Sequence, residues 1–175
     1  MRVPRSVKVL SVLAAAFTLV LTGAAPAFAQ NGFFYVGNAA GGCLDYSPNL
    51  NYRVFNQCHG TAPYQWLKFT NAFNYGPDAY TITFPNGTGF PSTCLEAFGN
   101  GARARGALCA GRTTQVWIVR YANNQPYFDS VGYASQHLCL TKSAFYDGHD
   151  GYLLTTEPCA GRLSQFWQWL DFRPS

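Results

Sequence analysis

The chain has 175 residues, 12 Lys and Arg against 8 Asp and Glu, and a formal net charge of +4. Three of the cations, Arg2, Arg5 and Lys8, lie in the first 29 residues; without that segment 175 − 29 = 146 residues remain with 12 − 3 = 9 cations, a net charge of 9 − 8 = +1. So few scattered cations exclude nucleic acid as a main partner, and a chain of that length suits one domain with a sizeable core.

The first segment reads as an address. Arg2, Arg5 and Lys8 precede an apolar run over residues 9–21, broken only by Ser11 and Thr18. Ala27-Phe28-Ala29 then fits the small-x-small rule for signal-peptide cleavage. The expected boundaries are a signal peptide over 1–29 and one domain over 30–175. The apolar run is short for the roughly 20 residues of a membrane span, and no later segment is a candidate, so no membrane span is expected. Export places the chain outside the cell.

The remainder reads as β. Residues 33–36, 80–84 and 116–121 are β-rich or alternating, and the chain's 17 Gly and 10 Pro punctuate such runs at short intervals. Many short strands with frequent turn signals predict a sandwich or barrel. A threefold pattern selects the barrel. Cys43-Leu44-Asp45 leads to Cys58 and Trp66, Cys94-Leu95-Glu96 to Cys109 and Trp117, and Cys139-Leu140-Thr141 to Cys159 and Trp167. Gly60, Gly111 and Gly161 stand two places after each second cysteine. Such a period means one supersecondary unit copied and packed on itself. Each copy has room for four strands. Closure would pair the first strand, near 33–36, with the last, near 166–170, and so remove exposed edges. The extra residues 71–78 predict a longer surface loop after repeat one. Trp169, two places beyond Trp167, is expected to face the same side and extend the core at that seam.

Six cysteines in an exported chain read as disulfides. Copied units should carry copied bridges, which selects Cys43–Cys58, Cys94–Cys109 and Cys139–Cys159. No CxxC pair supports zinc, and 147–150 lacks the spacing of a calcium loop. No cofactor or metal is expected.

The pattern Cys-Leu-Asp, a second Cys, Gly, then Gln-x-Trp resembles the ricin B-type lectins. Gln115-Val116-Trp117 and Gln165-Phe166-Trp167 match the triplet; repeat one reads Tyr64-Gln65-Trp66, with tryptophan kept and tyrosine in the glutamine's place. The resemblance covers the whole domain and implies an all-β fold, the β-trefoil: three pseudo-repeats of four strands, each with its own disulfide. It places Trp66, Trp117 and Trp167 in the core, with Leu44, Leu95 and Leu140.

The same resemblance implies a shallow sugar pocket on each repeat. A carboxylate after Cys-Leu accepts from two hydroxyls, and an aromatic ring covers an apolar sugar face. In repeat one the candidates are Asp45, Tyr52 and Asn56. Repeat two offers Glu96, with no aromatic in 101–108. Repeat three has Thr141 at the carboxylate position, with Tyr146, Asp147, Asp150 and Tyr152 nearby in sequence. The family's asparagine position reads Pro63, Thr114 and Ser164. No repeat keeps the complete set, so the expectation is weak binding of a polysaccharide or glycan through degraded sites.

Each candidate also has a plainer use. Asp45 can cap a turn, Glu96 can be solvated beside Arg103 or Arg105, and 147–150 can be only a loop. Arg103, Arg105 and Arg112 read as a solvated cluster. His59 and His137 flank cysteines and read as structural or exposed. Asn86-Gly87-Thr88 is a glycosylation sequon. Catalysis is not expected: no nucleophile elbow or triad motif is present, and Asp45 and Glu96 fall in different repeats, whereas glycoside cleavage needs two carboxylates about one bond. The alternative to a lectin is a secreted trefoil that binds a protein, as an enzyme inhibitor or assembly subunit, through loops 71–78 and 144–151.

Overall fold

The computed structural model describes residues 31–47, 51–84 and 92–174. The expected signal peptide, its cleavage site and the sequon at Asn86 lie outside the described residues.

Among the described residues twelve strands run in chain order. Repeat one contributes β1 (Gly32–Asn38), β2 (Cys43–Ser47), β3 (Asn51–Phe55) and β4 (Trp66–Asn71). Repeat two contributes β5 (Ala79–Thr83), β6 (Thr93–Glu96), β7 (Arg105–Leu108) and β8 (Val116–Ala122). Repeat three contributes β9 (Gln125–Ser130), β10 (Leu138–Tyr146), β11 (Gly151–Pro158) and β12 (Trp167–Pro174).

The outer strands of each repeat build a barrel through the antiparallel ladders β12–β1, β1–β4, β4–β5, β5–β8 and β8–β9. At the sixth seam β9 meets β12 through side chains, with the Phe128 ring 5.7 Å from that of Trp167. The first and last strands close as expected: Val36 pairs with Trp169 and Asn38 with Trp167. The inner pairs β2–β3, β6–β7 and β10–β11 form three hairpins over one end. β3 and β11 join two of these hairpins, with Gly151 opposite Phe55 and Leu153 opposite Arg53.

Alternation explains the core. In each Cys-Leu-x segment the leucine faces inward, and Leu44, Leu95 and Leu140 are fully buried together. The three expected disulfides are formed, each within its own repeat. In the chain-entropy model a loop of this size contributes about 3 kcal/mol. Trp169 does extend the core. Its ring lies 4.9 Å from Phe34, 5.4 Å from Phe69 and 5.7 Å from Phe128. Residues 72–78 form the expected longer connection and contain a 3-10 turn, Phe73–Tyr75. Its counterpart between repeats two and three is a two-residue turn, Asn123 and Asn124, both with positive φ.

One expectation is corrected. Trp66 is not part of the central core; it packs in a separate cluster with Tyr35 and Cys43. The residue that occupies the core position is Leu67. It pairs with Phe34 across β1–β4, as Trp117 pairs with Tyr80 across β5–β8. Trp117 and Trp167 donate their indole N–H to Leu95 O and Leu140 O, at 3.0 and 3.3 Å, whereas Trp66 donates to Gly60 O at 2.8 Å. The cause is one extra residue. Glutamine follows the second cysteine by seven places in repeat one and by six in repeats two and three. Gly111 and Gly161 take φ of +66° and +64° in the shorter turn, a conformation suited to glycine.

Candidate functional site

The glutamine before each barrel strand organises the surface next to it. Each sits at the end of a 3-10 turn: Pro63–Gln65, Thr113–Gln115 and Leu163–Gln165. Each side chain bonds the residues on either side of a disulfide cysteine. Gln65 accepts from His59 N at 2.7 Å and donates to Gln57 O at 2.8 Å. Gln115 accepts from Ala110 N at 2.9 Å and donates to Leu108 O at 2.8 Å. Gln165 accepts from Ala160 N at 2.8 Å and donates to Pro158 O at 2.9 Å. Repeat one therefore keeps its glutamine. Its triplet is Gln65-Trp66-Leu67, not one in which Tyr64 replaces the glutamine.

All three glutamines are buried, and so is the residue after each Cys-Leu: Asp45, Glu96 and Thr141. Their fates differ. In repeat two Glu96 is fully engaged. It accepts from Gln115 Nε2 at 2.8 Å, from Thr114 Oγ1 at 2.7 Å and from Arg112 Nη1 at 3.3 Å. The plainer expectation for Glu96 is also corrected, because its side chain is buried and not solvated; Arg105, its cross-strand neighbour, lays its guanidinium over Phe98, 4.6 Å from the ring centroid. A carboxylate held by three protein donors has little left for a sugar.

In repeat three Thr141 accepts from Gln165 Nε2 at 3.2 Å and donates to Cys139 O at 3.0 Å. Beside it is an open cleft of about 380 Å³, bordered by Lys142, Tyr152, Glu157 and Arg162. Lys142 spans this cleft. Its Nζ donates to Ala40 O and Gly41 O at 3.0 and 2.9 Å and sits 4.3 Å from the Tyr152 ring centroid. Burial holds the Lys142 ammonium below its usual pKa. Tyr146, Asp147 and Asp150 do not border this cleft. Tyr146 and Asp150 bond each other through Tyr146 OH and Asp150 Oδ1 at 3.1 Å. Asp147 accepts from His149 N at 2.7 Å and Gly151 N at 3.1 Å, and pairs with Arg53 of repeat one.

Repeat one has the larger cleft, about 470 Å³, bordered by Asp45, Arg53, Phe55, His59, Tyr64 and Gln65. Arg53 is its centre. Nε donates to Asp45 Oδ1 at 3.1 Å, and Nη1 donates to Asp147 Oδ2 at 3.2 Å and His149 O at 2.8 Å. The guanidinium lies over Phe55, 4.9 Å from the ring centroid. Burial pushes the Asp45 carboxyl above its usual pKa, against the opposing pull of Arg53 and Gln65. For Asp147 burial also works upward, but the His149 N–H, Arg53 and the Gly151 N–H outweigh it and hold the value low.

Of the repeat-one candidates, Asp45 does border the cleft; Tyr52 and Asn56 do not. Tyr52 is 0% exposed. Its hydroxyl donates to Ile82 O at 3.2 Å and Thr93 O at 2.8 Å, so it ties hairpin to barrel and offers no face to a ligand. Asn56 is exposed, and its backbone N donates to Asp150 O at 3.0 Å. The aromatic borders are Tyr46, Phe55 and Tyr64. Phe55 was legible in principle, as the outward-facing neighbour of inward Val54. Arg53 was legible only as the residue opposite Asp45 in the hairpin. His59 and His137 are exposed.

No protein-family model and no curated protein matches the chain. Solved structures do. A designed threefold-symmetric protein, ThreeFoil, is 14% identical with a TM-score of 0.62, over 80% of this chain and 99% of that one. The fold is a β-trefoil. A lectin of Polyporus squamosus, solved with a human-type influenza-binding epitope, is 18% identical with a TM-score of 0.59, over 83% of this chain and 49% of the lectin chain. A mosquitocidal holotoxin is 15% identical with a TM-score of 0.64, over 83% of this chain and 16% of the toxin chain. Among the described residues no helix is long and apolar enough to cross a membrane, and no group of three or more His, Cys, Asp or Glu could hold a metal.

Proposed function

We propose that this trefoil is an exported carbohydrate-binding protein of the ricin B-type lectin group, acting without catalysis, with the repeat-one cleft as its working site. The observation that carries the reading is the Asp45–Arg53 pair at the back of an open cleft with aromatic borders. A carboxylate beside a guanidinium offers an acceptor and a donor to neighbouring hydroxyls, and rings cover the C–H face of a sugar. The repeat-two position is closed by its own hydrogen bonds, and the repeat-three position lacks a carboxylate, so binding rests on one site. A shallow single site gives about millimolar affinity, roughly −4 kcal/mol, and is useful only on a multivalent surface.

Export follows from the segment 1–29, with a mature chain starting at Gln30. N-terminal mass spectrometry of the secreted protein tests this; retention of residues 1–25 would overturn it. Glycan-array binding by the oxidised mature protein tests the main reading. Asp45→Asn keeps the side-chain shape and removes the charge. It should weaken binding roughly tenfold or more, the loss of a charged acceptor.

A second reading has its own observation. Phe73 in the 72–78 loop and Phe145 at the end of β10 are 70% and 72% exposed. Exposed aromatics are common anchors for a protein partner. A mature chain that binds no glycan but captures a secreted protein through these residues would favour that alternative.

A further inference from the structure

We propose that Tyr64 is the stacking platform of the repeat-one cleft, and that the cleft takes an uncharged pyranose ring of a glycan. The inference rests on the carbohydrate reading above and deepens it to a residue and a ligand class.

Tyr64 stands directly before Gln65, where repeat two has Thr114 and repeat three Ser164. Repeat one thus carries a ring where its copies carry small hydroxyls. The extra residue between Cys58 and Gln65 lies in the same turn. Both departures of repeat one from its copies therefore fall on one border of its cleft.

The ring is 49% exposed, yet it is backed. Its plane lies 14° from that of Phe84, with centroids 5.9 Å apart. Phe84 in turn stacks on Tyr46 at 4.5 Å, and Tyr46 packs on the buried Tyr52 at 5.0 Å. This series of rings runs from solvent to core. A platform held in that way loses little freedom when a sugar settles on it. The other aromatic borders are less available: the Arg53 guanidinium already lies over Phe55, and Tyr46 is buried beneath Phe84.

Charge sets the ligand class. Arg53 is shared by two carboxylates, Asp45 and Asp147. The His59 ring is bonded to Gln57 Oε1 at 2.8 Å. The cleft therefore offers no uncompensated cation to a uronate, sialate or sulfate. What remains is an acceptor and donor for hydroxyls and a flat apolar ring, which fits a neutral pyranose with one C–H face.

The test uses affinity electrophoresis and calorimetry of the oxidised mature chain. The probes are soluble galactomannan, xylan and laminarin, with polygalacturonate and heparin as acidic counterparts. Wild type should bind at least one neutral polysaccharide more tightly than either acidic one. Tyr64→Thr, which installs the residue type found in repeat two, should weaken that binding about tenfold. Tyr64→Trp should stay within about twofold and shift its fluorescence on ligand addition. Both variants should melt with wild type, because the ring is half exposed. Equal binding by wild type and Tyr64→Thr overturns the platform while the carbohydrate reading stands. Preference for polygalacturonate or heparin overturns the ligand class. Binding to no probe and to no array glycan overturns the carbohydrate reading itself, and the platform with it.

Discussion

Arg53 of repeat one and Asp147 of repeat three are joined across the β3–β11 seam, Nη1 to Oδ2 at 3.2 Å. The two residues are 94 positions apart in the chain. Asp147 also holds its own loop by accepting from His149 N and Gly151 N. One carboxylate thus couples the repeat-three loop to the base of the repeat-one cleft.

Removing Arg53 should leave two buried carboxylates without their cation, whereas removing Asp147 leaves Arg53 paired with Asp45 but strips the His149 and Gly151 N–H groups of their acceptor. Asp147→Ala is expected to cost about 3 kcal/mol of stability by urea denaturation. The double variant with Arg53→Met should cost less than the sum of the single changes, with a coupling of about 1–3 kcal/mol. Additive losses would show that the pair contributes nothing specific.

The glutamines should behave as a graded series. Replacing each by Leu strips a backbone N–H and a backbone C=O of their partners, at about 2–4 kcal/mol. Gln165→Leu should be the least damaging, because its further acceptor is the neutral Thr141 hydroxyl at 3.2 Å, whereas Gln115 donates to the buried Glu96 carboxylate at 2.8 Å and Gln65 bonds the buried Asp45 carboxyl. Thermal melts of Gln65→Leu, Gln115→Leu and Gln165→Leu check the order.

The slipped register of repeat one predicts unequal tryptophans. Trp117→Leu opens a cavity at a fully buried site and should cost about 2–4 kcal/mol. Trp66→Leu should cost about half as much, because Trp66 lies in the smaller cluster under the Arg173 guanidinium. Leu67→Trp restores the repeated triplet yet should destabilise by about 1–3 kcal/mol through overpacking. Chemical denaturation separates these outcomes; a stabilising Leu67→Trp would contradict the register.

Acid should uncouple binding from folding. Burial raises the Asp45 value, so this carboxyl takes up its proton earlier on acidification than an ordinary carboxyl near about pH 4. A raised folded value means that the fold binds this proton more tightly than the unfolded chain does. Protonating Asp45 therefore does not itself drive unfolding. Asp147 has the opposite sign. Its lowered value contributes stability above the ordinary carboxyl range, and this is lost as pH falls through the folded value. Glycan binding should accordingly fade at a higher pH than the circular-dichroism signal of the fold. Coincident loss of both would count against Asp45 as the ligand acceptor.

Much of the architecture was legible because it rests on short-range rules. The spacing of Cys, Leu and Cys within each copy sets one hairpin and one bridge, and three copies leave few ways to bury the leucines except around a common axis. The candidate site was less legible. Asp45 borders a cleft, whereas Tyr52, two positions from Val54 on the same face of β3, points into the core. Tyr64 is set apart in the sequence only once the one-residue shift of repeat one aligns it with Thr114 and Ser164, and that shift shows in the hydrogen bonds of Gln65.

By itself the sequence determined the three-copy β architecture, the pairing of its cysteines and the meeting of its first and last strands. These follow from local periodicity and from the need to close edges. Only the tertiary structure decided that Leu67, not Trp66, fills the core position of repeat one, that Glu96 is sealed by its neighbours, and that Arg53 ties Asp45 to Asp147. The physical reason is range. A one-residue insertion changes which side chain faces inward without altering the count from cysteine to tryptophan. A contact between residues 94 apart depends on how two hairpins settle against each other after the barrel has closed.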